Sequence, residues 1–177
     1  MKRLFPILIA IALLGLMYVS VHPALSSSES KWLKVYQSAP TALVRQLRQD
    51  YAPYLRLDTP VDVGQMQVLK LQQPGSLPLY VINTRVHTQG KPEMTPSCGM
   101  SGCLLLGYIP QNAGFKQVLK GYINDFQVQN ASPVVRSIER VLNHVPCFEL
   151  TTFNPSTQRV NPIQTFCFNG HQFVCSG

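Results

Sequence analysis

The sequence predicts an α+β domain: an antiparallel β-sheet built from hairpins, covered by one or two helices and stapled by disulfides in its C-terminal half. Three observations carry this expectation. Short apolar runs separated by turn clusters recur from Val61 onward. One stretch near the start, Leu43 to Tyr51, has helical spacing. All five cysteines fall between Cys98 and Cys175. The chain has 177 residues, 45% hydrophobic and only 13% charged. Average globular usage is about 25% charged, and here 15 glutamines and 8 asparagines take up the polar share. That composition excludes a disordered chain. The length suits one domain.

The first segment reads as an address. Met1, Lys2 and Arg3 precede an uncharged run, Leu4 to Val21. This is a positive start followed by an apolar stretch, near the short edge of the ~17–25 residues that span a bilayer. Ala24 and Ser26 are small residues placed for cleavage after Ser26. Two readings stay open for residues 1–26: a cleaved signal peptide, or a retained anchor with its N-terminus cytoplasmic. Both export the remainder, to the periplasm or beyond. Without Lys2 and Arg3 the formal charge falls from +7 to +5. The remaining basic residues are scattered singly, so the clustered stripe a nucleic-acid binder needs is missing.

Residues 27–60 form a polar tether and a helical segment. Ser26 to Ser30 is the tether, and Trp32, Leu33, Val35 and Tyr36 suggest a short helix before Pro40. Leu43, Val44, Leu47 and Tyr51 then share one helical face, with Arg45, Arg48 and Gln49 on the other. Pro40 suits the helix start, and Pro53 ends it from outside.

Residues 61–177 form the β-rich exported domain. Gln65 to Leu71 partly alternates, as a half-buried strand does. Gln73-Pro74-Gly75-Ser76 is a turn. Leu79 to Ile82 and Leu104 to Ile109 are continuous apolar runs, suited to central strands. Pro110 to Gly114 predicts a longer hairpin loop before Phe115 to Tyr122. Ser132-Pro133 followed by Val134, Val135, Ile138, Val141 and Leu142 fits a capped helix, with an irregular β connection as the alternative. The final unit is a hairpin, Cys147 to Phe153 against Ile163 to Phe168, and Asn169-Gly170 turns before Phe173.

Export favours disulfides. Cys98 and Cys103 stand five apart around two glycines, a small ring worth only ~2 kcal/mol in chain entropy. Cys147 and Cys167 bracket the second hairpin. With its turn centred at Thr157 they oppose each other across the strands, and their bond is worth about 3 kcal/mol. Cys175 is left over: a partner for Cys147, a free thiol, or a link to another chain. A zinc site from His144, Cys147, Cys167, His171 and Cys175 competes, since the spacings are zinc-like. An oxidising compartment weighs against it. A redox-active Cys98/Cys103 pair also competes, but redox motifs usually hold two intervening residues at a helix start.

Leu79-Tyr80-Val81-Ile82-Asn83-Thr84-Arg85, then Cys98-Gly99-x-x-Gly102-Cys103-Leu104, Phe115-Lys116-Gln117-Val118, Val145-Pro146-Cys147 and Phe168-Asn169-Gly170-His171-Gln172-Phe173 make a recurring combination. Over residues 79–174 it resembles a loose group of uncharacterised exported bacterial proteins. In that group a Cys-Gly-x-x-Gly-Cys loop opens an apolar hairpin and an aromatic-x-Asn/Asp-Gly hairpin closes the domain. The resemblance implies a small exported domain with a disulfide-pinned sheet, and no activity.

Catalytic signatures are missing. The chain lacks a nucleophile elbow, a His-Glu-x-x-His helix, a phosphate loop and a dinucleotide glycine pattern, so no cofactor is expected. Its eight acids show no paired motif. The function these features favour is a non-enzymatic accessory or binding protein of the cell envelope, with inhibition of an envelope enzyme as its sharper form. Its partner would be another envelope protein or polymer, and it would meet the membrane only through an uncleaved N-terminal segment. The expected contact surface is the disulfide loop with Met100 and Ser101, together with Tyr108 and Tyr122. A thiol–disulfide oxidoreductase and an anchored membrane-complex subunit are the alternatives.

Overall fold

The computed structural model describes residues 31–54, 61–88, 91–92, 97–99, 102–123, 134–151, 153–154 and 159–176. The address segment, residues 1–26, lies outside them. The helix, α1 (Thr41–Tyr51), forms where the periodicity places it. Pro40 occupies its N-cap, and Leu43, Leu47 and Tyr51 are buried. Removing such side chains from water contributes roughly 2 kcal/mol each. Just before it, β1 (Leu33–Lys34) leads into a single helical turn, Val35–Ser38.

The helix lies on a six-stranded antiparallel sheet. Its members are β1, β2 (Gln67–Leu71), β3 (Leu79–Asn83), β6 (Cys98–Gly99), β7 (Gly102–Gln111) and β8 (Gly114–Ile123). The order is β1-β2-β3-β7-β6, with β8 on the other side of β7. Two small ladders stand apart: β4 (His87–Thr88) with β5 (Lys91–Pro92), and β11 (Phe153–Asn154) with β12 (Arg159–Val160). A second sheet runs β14-β13-β10-β9, from β9 (Val134–Leu142), β10 (Val145–Thr151), β13 (Gln164–Phe168) and β14 (Phe173–Ser176).

Strand β7 explains the layering. It is buried from Gly102 to Ile109, as a strand covered on both faces must be. Leu104, Leu106 and Tyr108 join Leu43, Leu47, Tyr51, Val68, Tyr80 and Ile82 in one core. Leu105 and Ile109 join Leu69, Leu71, Leu79 and Val81 in the other, against Phe148, Leu150, Phe168 and Phe173 of the second sheet. The chain is therefore mostly antiparallel β-sheet with one helix, in three layers: helix, sheet, sheet. Gly107 is required where β7 and β8 come close. A Cβ there would stand 2.7 Å from Leu119 Cβ.

Two local expectations are corrected. The stretch from Val134 to Leu142 is strand β9, not a helix. It pairs along β10, with a register shift near Pro146 and Phe148. Its Val-rich sequence prefers a pleated, half-buried surface, and the irregularity breaks the alternation that would have announced a strand. The β7–β8 connection is shorter than expected. Gln111 pairs with Gly114, so only Asn112 and Ala113 turn, and Asn112 takes a φ of 50° that asparagine tolerates.

Candidate functional site

The site grows from the β6–β7 hairpin. Cys98 pairs with Cys103 and Gly99 with Gly102 across the strands. The Cys98 and Cys103 Cα atoms lie 4.0 Å apart and the sulfurs are bonded. Met100 and Ser101, which connect the two strands, lie outside the described residues.

Beneath the disulfide runs a chain of hydroxyls. Tyr51 Oη donates to Ser97 Oγ at 2.6 Å. Ser97 Oγ donates to Thr84 Oγ1 at 2.8 Å. Thr84 Oγ1 donates to the Leu104 carbonyl at 2.9 Å, and the Leu104 amide donates to the Ser97 carbonyl at 3.0 Å. All four residues are buried. Ser97 and Thr84 each accept from one hydroxyl and donate onward, so burial leaves them satisfied. The chain ties the base of the hairpin to the end of α1 and to the segment following β3. Tyr51, Thr84 and Ser97 were missed in the sequence because 46 positions separate the first pair. Helical periodicity marked Tyr51 only as a core residue.

Beside the hairpin, β8 presents a polar strip. Tyr122 pairs with Leu104 and Lys120 with Leu106, so both side chains lie on the helix side of the sheet. Tyr122 is 54% exposed. The Lys120 Nζ stands 5.3 Å from the centre of the Tyr54 ring, and its hydrogen bond to the Tyr54 hydroxyl raises the ammonium pKa. Tyr108 is different from the expected contact residue: it is fully buried under the helix. Burial, and after it the neighbouring Asp50 carboxylate that accepts its hydrogen bond, push the Tyr108 phenol far above the usual range. Gln46 Nε2 also donates to Asp50, at 3.0 Å. The structure thus brings Tyr122 to the disulfide hairpin and removes Tyr108 from the surface.

The second disulfide joins Cys147 and Cys167, with Cα atoms 4.5 Å apart. The β10–β13 register opposes Phe148 to Phe166 and Leu150 to Gln164. Extended by one pair it opposes the two cysteines, as the turn arithmetic predicts. Bonded to each other, Cys147 and Cys167 are not thiolate ligands, and the zinc reading fails for that reason. His144 sits in the two-residue β9–β10 turn with Asn143, both at positive φ. His171 sits in the β13–β14 turn, where its amide donates to Asn169 Oδ1. Among the described residues no three His, Cys, Asp or Glu side chains gather to hold a metal. Cys175 is an exposed free thiol. It opposes Phe166, while Cys167 opposes Val174. Alternation along the strands therefore puts Cys175 on the opposite face from Cys167.

The disulfides are compatible with an oxidising, exported environment. Among the described residues no helix is long and apolar enough to cross a membrane. No family model, no curated protein and no solved structure matches the chain.

Proposed function

We propose that the chain is an exported accessory domain that binds another component of the cell envelope and catalyses no reaction of its own. The observation that carries the reading is the hairpin, closed by Cys98–Cys103 and fastened at its base by the Tyr51–Ser97–Thr84 hydroxyls. Strands held this way lose little freedom on binding, where each flexible side chain ordered costs about 0.5–1.5 kcal/mol. Tyr122 adds an exposed ring and Lys120 a held cation beside it. A cation beside a rigid hairpin suits an acidic cleft on an envelope enzyme, which this domain would inhibit by occupying it.

Site-directed photo-crosslinking in the native cell tests the proposal. A photoreactive side chain at Gly99, Lys120 or Tyr122 should give one common adduct. The same group at Glu139 or Arg140, on the second sheet, should give none. Replacing Cys98 and Cys103 by alanine should weaken the adduct. Equal labelling at all five positions would refute the contact surface. The thiol oxidoreductase reading meets a buried Cys103 within a strand. Repeated turnover in an insulin-reduction assay would restore it.

A further inference from the structure

The helix side of the molecule carries an imbalance of charge. Residues 30–49 hold Lys31, Lys34, Arg45 and Arg48 and no acid. Arg45 and Arg48 are exposed on α1. Lys70 projects from the same side of the sheet, opposite Tyr80. The nearby acids are fewer: Asp50, which accepts from Gln46 and Tyr108, and Asp62, which accepts from the Gly64 amide at 2.9 Å, and these neutral donors leave the surplus of cations as the balance of the side. The second sheet is balanced, with Arg136 paired to Glu149 and Glu139 beside Arg140 in sequence.

At the N-terminal corner of this basic side, large apolar groups face water. Tyr36 is 60% exposed and Leu33 38%. The Lys34 ammonium lies 6.0 Å from the Tyr36 ring centre. Aromatic and cationic side chains together are what a membrane interface accepts. The corner is also where the chain arrives from its apolar run. Only residues 22–32 separate Val21 from Leu33, a reach of at most roughly 40 Å.

We infer that this side, centred on Leu33, Tyr36, Arg45 and Arg48, docks on an anionic lipid bilayer. The inference rests on the exported reading, with Leu4–Val21 delivering the chain to the membrane. Short attachment keeps the corner at high local concentration near the headgroups. Acidic lipids attract it by about fivefold per cationic side chain near the surface. The second sheet and its disulfide then face away from the bilayer.

The full chain, reconstituted in nanodiscs of neutral or anionic phospholipid, tests this. The protein has one tryptophan, so Tyr36→Trp in a Trp32→Phe background gives a single reporter at the corner. A nitroxide on the lipid headgroup should quench it in anionic discs and much less in neutral ones. Salt at 0.5 M should remove the difference, because charges are then screened within a few ångström. Arg45→Glu with Arg48→Glu should reduce the preference by at least about 25-fold, while Arg140→Glu leaves it unchanged. Arginine modification by phenylglyoxal on the unaltered chain gives a second readout. Anionic lipid should protect Arg45 and Arg48 but not Arg140. Equal quenching in both lipids, or no effect of the double reversal, overturns the inference while leaving insertion of the N-terminal segment intact. Tighter binding to inorganic polyphosphate than to anionic discs at equal charge overturns it in favour of an acidic polymer. A chain that never enters the discs refutes the anchor instead. In that case vesicle binding by the processed chain decides the surface.

Discussion

The two disulfides should contribute unequally, and the order follows from the loops they close. Cys147–Cys167 spans 20 positions and Cys98–Cys103 spans five. Chain entropy gives the first about 3 kcal/mol and the second about 2. Burial acts in the same direction, since Cys147 and Cys167 are both within 1% of full burial while Cys98 is partly exposed. For a domain of this size each kcal/mol moves Tm by about 2–4 °C. Cys147→Ala with Cys167→Ala should therefore lower Tm by roughly 6–12 °C, and Cys98→Ala with Cys103→Ala by roughly 4–8 °C. Calorimetry and urea unfolding of the two double variants give the comparison. The longer loop should also raise the urea m-value more, because its unfolded chain expands further. Equal losses, or a larger loss from the short loop, would refute the loop-entropy reasoning and point to native-state contacts at the hairpin.

Other outcomes are expected from single sites. Gly107→Ala forces a methyl against Leu119 and should cost about 1–3 kcal/mol, whereas Gly121→Ala meets open space and should cost far less, both read by urea unfolding. Tyr51→Phe removes the first donor of the buried hydroxyl chain, should cost about 1–2 kcal/mol, and should speed amide exchange at Ser97 and Leu104 more than in the second sheet. The folded chain holds the Tyr108 proton more tightly than the unfolded chain does, so this stabilisation is complete below pH 10 and is lost as pH rises above it. Stability should fall on the alkaline side, and Tyr108→Phe should flatten that fall in melts across pH 8 to 12.

Much of the architecture was legible. Leu43, Leu47 and Tyr51 marked a helix face because amphipathic spacing is local. Cys147 and Cys167 found each other because a hairpin register is fixed by its turn. Asn169-Gly170 announced its turn because glycine takes the φ of 100° it adopts there. The β9–β10 turn was silent, since Asn143-His144 reaches positive φ without a glycine. Tyr108 was misplaced to the surface although its own strand argued otherwise. A run apolar at every position from Cys103 to Ile109, Gly107 aside, is covered on both faces. The hydroxyl chain was illegible because it joins residues that only the folded sheet brings together.

The most direct measurement is the thiol state of the protein inside its own cells. Cells are quenched in acid, the chain is alkylated with and without reductant, and its intact mass is recorded. An exported domain with a preorganised hairpin should carry one alkylated thiol, Cys175, before reduction and five after it. Three alkylated thiols before reduction, with the label mapped by peptide mass to Cys98 and Cys103, would show that pair open and favour redox exchange. Five would place the chain in a reducing compartment and contradict both the export and the preorganised contact surface.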